Sequence, residues 1–185
     1  MLSEITQEAD TRMGKSVDSL MKAFDRIRTG RANPSLLDDI TISYYGTDTP
    51  LNQVGSITVE DARTLVVNPW EKHLIPDIEK AILKSDIGIN PSTSGDLIRL
   101  PLPPLTEENR RDLAKHAKND AENARIAIRN IRRDAVSQIR DLLKEKDIAE
   151  DEAHGAEEGV QKLTDRRIGE VDHALKHKEA DLLEI

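Results

Sequence analysis

The chain has 185 residues, enough for one or two domains of ordinary size, and a formal net charge of −8 from 27 Lys/Arg against 35 Asp/Glu. It has no cysteine, which excludes disulfides, thiolate nucleophiles and cysteine-held metals. Its aromatic residues are limited to Phe24, Tyr44, Tyr45 and Trp70, so the core must be aliphatic. No apolar signal core or Arg-rich presequence is seen near the first residues, and no run approaches the ~18 apolar residues of a membrane span, so a cytoplasmic protein with no membrane association is expected.

Met13, Val17, Leu20, Phe24 and Ile27 recur at heptad-like spacing and predict a helix of about 25 residues. Gly30 is read as its stop, and Asn33-Pro34 prevents its resumption. From 31 to 104 the period changes. Ile40, Ile42 and Tyr44 alternate with Thr41, Ser43 and Tyr45 as a strand, and Gly46-Thr47-Asp48 is expected to turn the chain. Ile57 to Val59 and Thr64 to Val67 read as further strands, and Pro76 to Ser85 as a helix with proline in its first turn. Ile87 to Ile89 and Leu97 to Leu100 complete a small mixed α/β unit, separated by a turn from Asn90-Pro91 to Gly95. Leu102 lies in a stiff, extended Pro101–Pro104 segment.

Thr106 caps a long helix with Glu107 and Glu108 in its first turn, and neither glycine nor proline interrupts it before about Lys146. The acidic stretch from Asp147 to Glu158, with Gly155 and Gly159, reads as a connection or a frayed helix start. A last helix follows, marked by Val160, Leu163, Ile168, Val171, Leu175 and Leu182. The pattern is α+β: an elongated three-helix bundle from 1–29 and 106–185, with a small mixed domain at 31–104 inserted after the first helix. Two strands of chain tether that insert, near 30–33 and 102–105, as a hinge would.

No catalytic constellation emerges. There is no nucleophile elbow, phosphate-binding glycine loop or dinucleotide fingerprint, so no enzyme activity and no cofactor are expected. His173 and His177 lie four apart but lack the His-Glu-x-x-His form, and no metal site is assigned. The informative feature is the third helix. Residues 107–146 hold 11 Lys/Arg and 8 Asp/Glu, a local +3 that leaves −11 elsewhere. At 100° per residue, Arg110, Arg111, Lys115, Lys118, Arg125, Arg129, Arg132, Arg133 and Arg140 fall in a sector roughly 140° wide. Beside it lie Leu113, Ala117, Ala121, Ala124, Ile128, Ile131, Ala135, Ile139 and Leu142. A charged row is most often only a wet helix face. Arginine outnumbers lysine here by seven to four, however, and its planar fork binds two phosphate oxygens at once. The row therefore favours anion recognition along phosphates; the alternative is a helical module whose arginines engage an acidic protein. Tyr44, Tyr45 and Trp70 are candidate stacking platforms, but a structural place is favoured for each.

Several blocks resemble the bacterial ribosome recycling factor family: Ile27-Arg28-Thr29-Gly30-Arg31-Ala32-Asn33-Pro34-Ser35-Leu36-Leu37-Asp38, Tyr44-Tyr45-Gly46 and Thr49-Pro50-Leu51, then Ser85 to Pro91. Ile98 through Glu108, Ile128 through Ala135 and Val160 through Asp165 continue the match in order, covering essentially the whole chain. The resemblance implies a three-helix bundle plus a small β/α/β domain in an L whose outline approximates a tRNA. It implies binding to the large ribosomal subunit and its ribosomal RNA after termination, and ribosome splitting with elongation factor G, which hydrolyses the GTP. By matching position, Arg132 is the leading RNA-binding residue, with Arg110, Arg129 and Arg133 nearby, Arg28 and Arg31 at the elbow, and Lys118 and Arg125 along the row. Gly30, Arg31, Ala32 and Asn33 with Leu102, Pro103, Pro104 and Leu105 would be the hinge, and a monomer is expected. The sequence departs from the family pattern at Asn109, where an arginine is usual, and at Ala149, where a serine often caps the last helix. Gly155 and Gly159 replace better helix formers, and a looser start to that helix is expected.

Overall fold

A computed structural model describes residues 1–183; the final two positions of the bundle domain expected to run to 185 lie outside them. The chain divides into two compact units, Met1–Phe24 with Ala114–Ala180, and Asp25–Leu113 with residues 181–183. The expected α+β class is found.

The first unit is built from most of α1 (Leu2–Arg26), α3 (Glu107–Lys144) and α4 (Glu150–Leu183), whose ends at 25–26, 107–113 and 181–183 fall in the second. Helix α1 buries Ala9 and the predicted Met13, Val17, Leu20 and Phe24, while Ile27, the last of the stripe, is buried just past its end. It stops at Arg26, four residues before Gly30, which is therefore not its terminator. Helix α3 buries Ala117, Ala121, Ala124, Ile128, Ile131, Ala135 and Ile139. The many alanines let neighbouring helices approach closely and leave little volume for each to fill. The Thr106 hydroxyl accepts from the Asn109 N–H at 3.1 Å, as its capping role requires.

The end of α3 explains how a helix stops with neither glycine nor proline. Lys146 takes a left-handed conformation (φ 63°), the Asp147 N–H donates to the Leu142 carbonyl at 2.9 Å, and the Lys146 N–H to that of Leu143 at 3.0 Å. This paired C-terminal closure satisfies the last carbonyls. Helix α4 begins at Glu150, so the stretch from Asp147 to Glu158 is mostly regular helix, and Gly155 and Gly159 lie inside it. Ala149 lacks a capping side chain, but its N–H donates to Glu152 Oε1 at 3.4 Å, which keeps half of a capping box.

Charged struts join every pair of these helices. Arg12 meets Asp134 at 3.2 Å between α1 and α3, Arg125 meets Asp172 at 2.6 Å between α3 and α4, and Asp10 receives Arg167 at 2.5 Å and Arg166 at 3.1 Å between α1 and α4. Burial lowers the proton affinity of Arg125 and Arg167, but the hydrogen bonds they donate to their carboxylates, with the charge attraction, outweigh it and hold both pKa values above the ordinary one.

The second unit holds the inserted segment. Strands β1 (Thr41–Tyr44) and β2 (Thr47–Pro50) form a hairpin, and β3 (Gly55–Asp61), β4 (Thr64–Pro69), β5 (Ser92–Ser94) and β6 (Leu97–Pro101) form an antiparallel sheet of order β3-β4-β6-β5. Helix α2 spans Ile75–Lys84. Two expectations fail here. The turn is Tyr45-Gly46, both at positive φ (49° and 81°), and Thr47 and Asp48 already pair as a strand. Ile87 to Ile89 is not a strand; Ile89 fills the core from a loop, and Ser92–Ser94 supplies the pairing strand.

The core of the insert is one aliphatic cluster that includes Leu37, Leu51, Leu65, Val67, Ile78, Ile82, Ile98 and Leu100. Tyr44 packs against it, whereas Tyr45 and Trp70 are 76% and 68% exposed, which overturns the structural place favoured for those two. At Gly55 a Cβ would fall 2.6 Å from the Asn68 carbonyl oxygen, so only glycine lets β3 lie this close to β4.

Candidate nucleic-acid interface

The cations of α3 do not present a uniform row; the partners of each decide what it offers. Arg110 lies toward the packed sector, is half-buried, and has a buried Nε without a hydrogen-bond partner. Arg125 is 19% exposed and held by both Asp172 (2.6 Å) and Glu122 (3.1 Å). Arg129 shares Glu122 at 3.3 Å. Arg111 pairs with Glu107 at 2.7 Å and Arg140 with Glu157 at 3.0 Å. Each of these arginines except Arg110 thus already faces a carboxylate.

Arg132, Arg133 and Lys118 differ. Arg132 donates to the neutral Gln161 Oε1 at 3.3 Å, and no carboxylate partner of Arg132, Arg133 or Lys118 is found among the described residues. Arg133 and Lys118 are exposed. Arg132 and Arg133 open onto a groove of about 770 Å³ between α3 and α4, where Arg140 joins them and Asp141, Glu157 and Glu158 also line the wall. Its three carboxylates balance its three arginines, so what suits a phosphodiester backbone is the α3 edge where Arg132 and Arg133 stand without a carboxylate partner.

Arg28 and Arg31 sit on the chain that leads into the insert. Arg28 is partly buried, and its guanidinium donates to the Pro103 carbonyl, tying one tether to the other. Burial pushes its pKa below the ordinary value, and its Nε has no partner. Arg31 is exposed, and its N–H donates to the Thr29 hydroxyl at 3.3 Å.

The hinge candidates fall into anchored and unanchored groups. The Ala32 N–H donates to the Ala62 carbonyl and the Leu102 N–H to the Arg63 carbonyl, each at 2.7 Å, so both tethers fasten to the turn of the β3–β4 hairpin. Asp61 secures that turn by accepting from the Arg63 N–H at 2.9 Å, which lowers the Asp61 pKa. Asn33 caps the helical turn Pro34–Leu37 through Ser35 N–H at 3.0 Å. Leu102 and Leu105 are buried, and Pro103 and Pro104 are exposed. Gly30, Pro103 and Pro104 carry no such backbone anchor to the sheet.

Sequence reasoning did not single out Gln161, Asp172, Glu122 or Glu157 as partners of the arginines. Periodicity ranks residues by angle on one helix, and these partners arrive from α4 or from the next turn. Glu107 and Glu122 do interrupt the basic sector in sequence, and Gln161 lies inside the Val160-to-Asp165 block.

Residues 20–183 match the model of the family described as ribosome recycling factor. Over all 185 residues, covering 100% of both chains, the sequence is 57% identical to the ribosome-recycling factor of Marinomonas sp. (strain MWYL1) and 59% identical to that of Alcanivorax borkumensis. That of Hahella chejuensis is 55% identical over the same span. A solution structure of the ribosome recycling factor superposes with a TM-score of 0.79 at 38% identity, covering 100% of this chain and 98% of the other. Models for the T. thermophilus ribosome recycling factor and the E. coli elongation factor G bound to the E. coli post-termination complex include a chain with a TM-score of 0.70 and 44% identity, each covered in full. With its fold, its ordered sequence blocks and its full-length relatives in agreement, this chain belongs to the ribosome recycling factor family.

Proposed function

We propose that the chain binds the large ribosomal subunit after termination and, with elongation factor G and GTP, splits the post-termination complex so that ribosomes are reused. The observation that carries the binding half is that Arg132 and Arg133 have no carboxylate partner among the described residues, whereas Arg125 and Arg129 are paired with carboxylates. Arg132, Arg133 and Lys118 contact ribosomal RNA phosphates, and Arg110, Arg28 and Arg31 of the other unit supply further RNA contacts. Arg125 and Arg129 serve first as struts. The chain acts by binding and by movement, with GTP hydrolysed on the partner, and it works in the cytoplasm, where that partner and the ribosome meet.

An electrostatic anchor is salt-sensitive. Neutralising roughly four phosphates gives a slope of log K against log salt near −3 to −4, at about −0.7 to −0.9 per phosphate. Arg132→Ala is expected to weaken binding to isolated large subunits about tenfold and to reduce that slope by about one, without lowering the melting temperature. Co-sedimentation across a salt series measures both, and an unchanged affinity would remove Arg132 from the site.

The motion is assigned to Gly30 and Arg31 on one tether and Pro103 to Leu105 on the other. Ala32 and Leu102 travel with the sheet to which they are hydrogen-bonded. Joining Arg31→Cys to Leu105→Cys with a short bifunctional crosslinker is expected to spare subunit binding and to impair splitting with elongation factor G. Normal splitting by the joined protein rules the hinge out.

A further inference from the structure

The arginine that matters most for the proposed binding has an unusual neighbour. Every other α3 arginine with a side-chain partner in this unit is met by a carboxylate: Arg125 by Asp172 and Glu122, Arg129 by Glu122, Arg140 by Glu157. Arg132 is met by an amide. Gln161 Oε1 accepts from Arg132 Nη1 at 3.3 Å, and Gln161 Nε2 donates to Asp165 Oδ1 at 2.9 Å, one turn further along α4.

The two bonds fix each other. An amide has an acceptor end and a donor end. Turning it over would set its NH₂ group against the guanidinium and its oxygen against the carboxylate, so that both contacts became repulsive. Asp165 therefore determines which end of Gln161 faces α3. A carboxylate lies one residue removed from the guanidinium, orienting it through the amide without pairing with it.

We infer that Gln161 is a positioning residue for RNA binding: it holds Arg132 at the mouth of the α3–α4 groove while leaving its positive charge for a phosphate. The inference rests on the binding role proposed above for Arg132. Two demands on a phosphate-binding arginine conflict. An unrestrained side chain loses rotamer entropy on binding. One restrained by a carboxylate is already neutralised, and phosphate must displace the carboxylate. A neutral acceptor meets both demands, because it restricts the guanidinium without neutralising it. The remaining donors of the planar fork stay open toward the groove, where Arg133 and Ser137 also face and where Glu157 is already taken by Arg140.

The test uses the full chain and isolated large ribosomal subunits, with affinity measured across a salt series and melting temperature recorded for each variant. Gln161→Glu keeps size and helix propensity but places a carboxylate on Arg132. It is expected to weaken binding roughly tenfold and flatten the salt slope by about one, matching Arg132→Ala. Gln161→Leu removes the acceptor and leaves the charge, so a loss of about two- to fivefold with an unchanged slope is expected. In the double variant Arg132→Ala, Gln161→Glu, the second change should add nothing. Wild-type affinity and slope in Gln161→Glu, with Arg132→Ala weakened, overturn the positioning role and leave the binding role intact. A loss that adds in full to that of Arg132→Ala also overturns it, because Gln161 would then act elsewhere. Wild-type affinity in Arg132→Ala removes the binding role itself, and the positioning role with it. A fall in melting temperature accompanying every loss of affinity would make Gln161 structural only.

Discussion

The two units of this chain are held together by different means. The bundle unit packs small side chains, seven of its buried residues being alanines (Ala9, Ala117, Ala121, Ala124, Ala135, Ala153 and Ala174), and it adds a charged strut across each helix pair. The insert packs Leu, Ile and Val into one cluster. Narrow helices bring small apolar area into contact, so the bundle relies more on its rim. A sheet with a helix on it buries broad aliphatic surface and needs less at its edge. The same arginines that brace the bundle also resemble its binding row in the sequence. The two uses separate only when partners are known.

Three substitutions press on this contrast. The largest effect belongs to Ile98→Ala, which empties a fully buried site of the insert. It should lower unfolding free energy by about 2–5 kcal/mol, read by denaturant melts, with the loss independent of salt. A loss that shrank at high salt would mean that ion pairs, and not aliphatic packing, support this unit. Arg167→Ala removes the strut to Asp10 and Glu170 in the bundle, where the guanidinium is 20% exposed. A cost of about 1–2 kcal/mol is expected, smaller in strong salt because the partners are partly solvated. Equal losses at low and high salt would assign Arg167 a packing role.

The smallest effect concerns acid. Because the folded Asp61 pKa lies below its ordinary value, chiefly through the Arg63 N–H, its contribution is full above the unfolded carboxylate range, near pH 4. The contribution fades as pH falls through the lower folded value. Asp61→Asn should therefore flatten the acid limb of a stability-versus-pH curve and leave neutral pH nearly unchanged. An unaltered acid limb would show that the turn is held without this carboxylate.

Much of the fold was legible because periodicity is a strong signal over long segments. The stripe Met13, Val17, Leu20 and Phe24 is buried as spaced, and the apolar sector of α3 faces inward from Ala117 to Ile139. What was missed has local causes. Gly30 looked like a stop, yet α1 ends at Arg26 and the next turn is organised by Asn33. Gly155 and Gly159 suggested fraying, yet propensity is a weak prior, and burial of Ala153 and Val160 holds α4 regular. Tyr45 at φ 49° occupies a position where Asn or Gly would be read as a turn, so the hairpin was placed one residue too late. Of the candidate interface, the angular row was visible and so were its same-helix acids Glu107 and Glu122, but the pairing of Arg125 with Asp172, Arg140 with Glu157 and Arg132 with Gln161 depends on α4 side chains that one-helix geometry cannot include.

The hairpin turn at Ala62-Arg63 receives both connections of the inserted segment, one hydrogen bond on each of two adjacent carbonyls. The segment's two ends are thus brought side by side at one spot, and the aliphatic cluster lies between them in sequence, from Leu36 to Leu102. A piece with neighbouring ends and a private core behaves as a cassette. Expressed alone from 32 to 102 it is expected to fold cooperatively, and a circular-dichroism melt of that piece without a transition would refute the cassette.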